Sequence, residues 1–152
     1  MNVFEKLISE FATMTGLEIA PDGNGSCTLE SNGVVITIQY RSDADDVVIF
    51  APVAFPENGS YSRSAYEKAL AVAYDGQGTG GAFLRLLDGA LILSLHLPMQ
   101  ELDAPTLGVR LTAFADVAES LNAEIAAVPE SMDAPAENDG SDFSCNQISI
   151  RV

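Results

Sequence analysis

Residues 27–41 read Cys-Thr-Leu-Glu-Ser-Asn-Gly-Val-Val-Ile-Thr-Ile-Gln-Tyr-Arg, and this stretch decides the fold class. Two apolar runs, Cys27-Thr28-Leu29 and Val34 to Tyr40, are separated by Glu30-Ser31-Asn32-Gly33. The Asn-Gly pair accepts the positive φ angles of a tight hairpin turn at little steric cost. In the second run Val34, Ile36, Ile38 and Tyr40 point one way and Thr37, Gln39 and Arg41 the other, which predicts a sheet with one buried and one wetter face. After the acidic turn Asp43-Ala44-Asp45-Asp46, the run Val47 to Val53 is apolar on both faces. A third, more central strand is expected there.

On the N-terminal side, Phe4, Leu7, Ile8 and Phe11 recur at i, i+3, i+4 and i+7 with Glu5, Lys6, Ser9 and Glu10 between them, the pattern of an amphipathic helix over residues 3–14. Gly16 and the run Pro21-Asp22-Gly23-Asn24-Gly25 stop it near Thr15. On the C-terminal side, Tyr61 to Tyr74 returns to helical spacing through Ala65, Tyr66, Ala69, Leu70, Val72 and Ala73. Such a wide stripe of small residues permits close approach of a partner, either the chain's own sheet or a second copy. Ala82 to Leu87 and Ala90 to Leu97 flank Asp88-Gly89, a second hairpin signal. Asp103 and Pro105 then open a long helix whose Leu107, Leu111, Phe114, Ala118, Leu121 and Ile125 form one face. The expected order is helix, three strands, helix, two strands, helix: an α+β domain over residues 1–127 with a twisted antiparallel sheet of about five strands flanked by helices. From Val128 onward Glu130, Asp133, Glu137, Asp139 and Asp142 accompany Pro129 and Pro135, so residues 128–152 are expected to form an acidic, disordered tail. At its end Ile148, Ile150 and Val152 alternate with polar residues, the pattern of a late strand on a sheet edge.

The 152 residues carry 22 acids against 7 bases, a net charge of −15. Lys6, Arg41, Arg63, Lys68, Arg85, Arg110 and Arg151 are scattered and make no basic patch, which excludes nucleic acid as a partner and disfavours an anionic membrane surface. No apolar stretch approaches the ~20 residues a bilayer needs, so membrane insertion is not expected and a cytosolic location is. Cys27 and Cys145 match no metal-ligand spacing and read as free, reduced thiols.

The candidate chemistry is thin. Gly76, Gly78 and Gly81 have the spacing of a phosphate-cradling loop, but they follow a helix, precede a strand and lack a lysine, so a helix stop accounts for them. His96, the only histidine, has no neighbouring nucleophile or ligand in sequence and falls on the wetter face of a strand whose Leu93, Leu95 and Leu97 point inward. Asp43, Asp45 and Asp46 lack the glycine and distal glutamate of a calcium loop and read as a solvated turn. Glu101 and Asp103 precede a helix and read as its cap. No catalytic residue, metal or cofactor is assigned, and the surplus of apolar surface points to oligomerisation or partner binding.

The opening helix ending Phe11-Ala12-x-x-x-Gly16-Leu17, the Asp22-Gly23 turn before Cys27-Thr28-Leu29, the alternating Val34 to Ile38 strand, and Leu95-His96-Leu97-Pro98 before the Leu107 to Ile125 helix resemble the class I type III secretion chaperones of the Tir-chaperone (CesT) family. That resemblance implies a cytoplasmic bacterial homodimer. It would hold the N-terminal segment of a secreted effector extended until the export apparatus takes it, with the secretion ATPase a further partner and no catalysis. It also implies a dimer interface at Ala65, Tyr66, Ala69, Leu70, Ala73, Leu91, Leu93 and Leu95. Effector contacts are implied at Phe4, Leu7, Ile8, Phe11, Leu29, Ile36, Ile38, Val48 and Phe50, partly by strand addition to the sheet edge. Each of these positions reads equally as ordinary core. Two other functions stay open on the residues alone: a small acidic module that sequesters a regulator, and an enzyme built on His96, Cys27 or the glycine loop.

Overall fold

In the computed structural model, which describes residues 1–53, 63–73 and 79–128, the first helix, α1 (Val3–Thr15), begins at a reciprocal cap. The Asn2 side chain accepts from Glu5 N at 2.8 Å, and the Glu5 carboxylate accepts from Asn2 N at 2.9 Å. Two otherwise orphaned backbone donors are thereby satisfied. Gly16 at φ 71° closes the helix, as its position in the sequence predicts.

Strands β1 (Ser26–Ser31), β2 (Val34–Arg41) and β3 (Asp46–Pro52) follow, then α2 (Arg63–Ala73), β4 (Phe83–Leu87), β5 (Ala90–Pro98) and α3 (Ala104–Ala126). The five strands form one antiparallel sheet in the order β1-β2-β3-β5-β4, with β3 in the centre as its two-sided apolar pattern requires. Both predicted hairpins turn on two residues of positive φ: Asn32 (53°) with Gly33 (76°), and Asp88 (49°) with Gly89 (82°). That backbone handedness matches the twist of the strands it joins. Asp103 caps α3 by accepting from Thr106 N at 2.8 Å. The expected helix over 61–74 is α2 within the described residues. Gly76, Gly78, Cys145 and the tail expected over 128–152, apart from Val128, lie outside them.

One sheet face carries Cys27, Ile36, Ile38, Val47, Ile49 and Leu93 into a single core. All three helices meet it there, α1 through Phe4 and Ile8, α2 through Ala65 and Ala69, and α3 through Leu107, Phe114 and Leu121. The ring of Phe4 stacks on Tyr40 with centroids 5.6 Å apart. On the opposite face a row of partners crosses the sheet, Thr28, Thr37, Phe50, Ser94 and Phe83.

A candidate partner-binding groove

The C-terminal half of α1 and the N-terminal half of α3 do not close completely over the β1 edge of the sheet. Between them lies an apolar groove of about 840 Å³, floored by Phe11, Leu29, Ile36 and Leu111 and rimmed by Met14, Leu17 and Val109. The two helices meet at Gly108, where a Cβ would stand at ordinary contact distance, 3.5 Å, from Met14 Cε and from Phe11 Cε2. The rim is wet, with Met14 50%, Leu17 45% and Val109 70% exposed. These are large apolar side chains that the core does not use, which marks a surface waiting for a partner.

The groove's charge is one-sided. Glu30 and Asp116 belong to its lining, and no Lys, Arg or His does. Beside it, Asn32 Nδ2 donates to Glu119 Oε2 at 3.2 Å, tying the β1–β2 turn to α3. β1 is the outermost strand. Apart from two bonds at Ser26, whose carbonyl accepts from Asp22 N and whose N–H donates to Asp22 Oδ1, no described segment other than β2 pairs with it.

The expected effector contacts fall into three groups. Phe11, Leu29 and Ile36 line the groove. Phe4, Leu7, Ile8 and Ile38 are buried in the core, at most 4% exposed. Val48 and Phe50 alternate with Val47 and Ile49 and so belong to the opposite sheet face. Sequence reasoning missed the rim. Its signal was present in Val109, an apolar residue off the buried stripe of α3, and in Gly108, a costly residue inside a helix.

The expected dimer residues also divide. Ala65, Ala69, Leu91 and Leu93 are inside the chain's own core, and Tyr66 and Leu95 are partly buried against it. Leu70 faces outward at 62% exposure, as do Phe83, Leu86 and Leu87 on β4 at 43%, 64% and 57%. The Tyr66 hydroxyl donates to Gly89 O at 2.8 Å, holding α2 beside the β4–β5 hairpin and bringing these apolar side chains to one end of the fold.

His96 has company that spacing could not show. The register of β2, β3 and β5 brings Arg41, Asp46 and His96 together on the open sheet face. Arg41 Nε donates to Asp46 Oδ1 at 2.8 Å, and His96 Nδ1 lies 3.2 Å from Asp46 Oδ2 and 3.3 Å from Arg41 Nη2. Hydrogen bonds from Arg41 hold the Asp46 carboxyl below its ordinary range, against partial burial that pushes it up. Asp46 is therefore a half-buried strand residue with two partners, and the solvated turn ends before it. An acid–imidazole pair suggests a hydrolytic triad, but Ser94, two residues before His96, is fully buried and its hydroxyl makes no hydrogen bond to the ring. Cys27 is buried as well, its thiol pushed up to about 11 by desolvation and then by Asp22, which suppresses the thiolate a nucleophile needs. Among the described residues no cluster of His, Cys, Asp or Glu is placed to hold a metal, and no helix is long and apolar enough to cross a membrane.

The sequence model of the Tir chaperone protein (CesT) family matches residues 6–122, spanning α1 through most of α3. The chain belongs to this family. Curated protein sequences give no match. Among solved structures, this CesT-family chain is similar to one in the HopA1-SchA chaperone-effector complex, with a TM-score of 0.63 and 14% identity over 80% of this chain and 94% of that one. A second is in the complex of the Yersinia pestis type III secretion chaperone SycH with a fragment of YscM2, at 0.59 and 21%, covering 78% and 98%. A third, from Pseudomonas aeruginosa, is in the ExoT-SpcS complex, at 0.58 and 19%, covering 79% and 98%. At these identities the likeness is one of fold.

Proposed function

We propose that this CesT-family protein is a non-catalytic type III secretion chaperone of the bacterial cytoplasm. It binds the N-terminal segment of a secreted effector in extended form and keeps it competent for export. The groove carries this reading: it is apolar and bordered by the outer edge of β1, with which β2 alone pairs as a strand among the described residues. An extended segment would add its backbone to β1 and place alternate side chains against Leu29, Met14 and Val109. Glu30 and Asp116 favour basic residues in that segment, and the −15 charge attracts such a segment over long range while repelling other copies of the chaperone. The exposed Leu70, Phe83, Leu86 and Leu87 at the α2–β4 end support a homodimer formed there, away from the groove. Handover to the export apparatus and its ATPase follows from the same role.

The test is titration of the full chain with N-terminal fragments of the host's secreted effectors, followed by light scattering and limited proteolysis of the complex. A dimer of chaperone protecting one extended stretch of effector is expected. Binding only to folded proteins, with no protected unfolded stretch, would overturn the reading.

A further inference from the structure

The last six residues, Gln147-Ile148-Ser149-Ile150-Arg151-Val152, alternate polar and apolar as a strand does when one face is buried. The groove presents a site of matching design. On β1, Leu29 faces the groove, while Thr28 and Glu30 alternate to the strand's other face, Glu30 standing at the groove's border. A strand paired to the free edge of β1 would set Ile148, Ile150 and Val152 beside Leu29 and the apolar rim. Its other face would set Arg151 beside Glu30. Arg151 is the only cation after Val128, in a stretch with five acids, and it falls on the face that needs it. The sheet's other edge is a worse match, because β4 carries Arg85 there, on the same face as Phe83.

The reach is also right. From Thr112, in the middle of the groove, to Ala126 at the end of α3 is about 21 Å along the helix axis. A linker of eighteen residues, the number from 129 to 146, has a root-mean-square span of roughly 23 Å if it behaves as a flexible chain. A tether whose mean length equals the distance it must cover gives the highest local concentration, on the order of 1 mM.

We propose that the C-terminal segment 147–152 docks in cis on the β1 edge and groove as a pseudo-client, covering the apolar rim until an effector segment displaces it. This rests on the groove being the effector site. It turns the acidic stretch before the segment into a tether, and it makes effector affinity a competition that the chaperone itself sets.

The experiment uses the full chain and its Ile148→Asp/Ile150→Asp variant, whose substitutions lie outside the α1–α3 domain. The probe is a fluorescein-labelled peptide of residues 143–152, under reducing conditions. If the peptide binds the emptied groove with a Kd of about 100 μM, a local competitor near 1 mM makes the wild-type chain bind it about tenfold more weakly. In parallel, a spin label is placed on Cys145, Cys27 being buried. It should broaden the methyl resonances of Leu29, Met14 and Val109 in the wild type and leave them sharp in the variant. Equal peptide affinity for both chains, with no broadening, overturns self-docking and leaves the groove reading intact. Broadening that appears only when spin-labelled and isotope-labelled copies are mixed overturns docking in cis. A groove that binds effector segments but not this peptide overturns the proposal alone. A groove that binds neither overturns both.

Discussion

Replacing Met14, Leu17 and Val109 together by serine separates binding from folding. The three side chains are 50%, 45% and 70% exposed, a little more than one and a half fully exposed apolar side chains between them. Burying such a side chain against a partner contributes about 2 kcal/mol. Full coverage by a bound segment is therefore worth roughly 3 kcal/mol, or about 150-fold in Kd, and half coverage still about 15-fold. Exposed substitutions cost the fold little, within about 0.5 kcal/mol each, so the melting midpoint should fall by less than about 10 °C. Fluorescence anisotropy of a labelled effector segment reads the first quantity and thermal denaturation the second. Val3 supplies the control: it is 67% exposed on the same helix but outside the groove, and Val3→Ser should leave affinity unchanged. A triple variant that melts like the wild type yet loses less than threefold in affinity, or a Val3→Ser variant that loses as much, would refute the assignment of the groove.

Gly108→Ala should stabilise the protein by about 0.5–1 kcal/mol in chemical denaturation, because the added Cβ meets Met14 and Phe11 at ordinary contact distance and the helix loses its most flexible residue. Gly108→Trp, which fills the groove, should abolish effector binding while the fold persists. Asp46 predicts a pH signature. Its carboxyl is held below the ordinary value near 3.9, so the stability it confers is complete above that pH and is lost as pH falls through the lower folded value. Asp46→Asn should thus be less stable than wild type at pH 6 to 7, with the gap closing below pH 4; a gap that stays constant down to pH 3 would remove the Arg41 bond as its cause.

Period and turn chemistry exposed the fold almost completely, since α1, α3 and both hairpins bury a periodic face or turn on Asn-Gly and Asp-Gly. The site was less legible for a physical reason. A groove floor and a core are built from the same side chains, so Phe11 and Ile36, which line the groove, could not be told from Phe4 and Ile38, which do not. What distinguishes a groove is where two elements fail to meet, and that depends on how α1 and α3 diverge from Gly108. The Arg41–Asp46–His96 cluster was hidden differently. Its members are up to 55 positions apart, and only the β2–β3–β5 register puts them on one face.

The two sheet edges explain why a chain of this composition should have partners at all. Unprotected edge strands pair with other chains, and proteins usually blunt them with charges, proline or a covering element. Here β4 reads Phe-Leu-Arg-Leu-Leu with three exposed apolar residues and a single charge, and β1 carries only Glu30 beside an open apolar groove. Left bare, both edges would drive association without limit, since each offers backbone donors and acceptors next to apolar surface. A second copy at β4, as proposed, would end growth there, because a two-fold contact uses the same edge of both chains. A strand at β1, whether an effector's or the chain's own, ends it at the other side. Between those states the −15 charge opposes unspecific contact among copies, yet it draws in a basic segment. On the proposed function, the acidity would select which strand reaches β1, while the groove would determine which side chains that strand must carry.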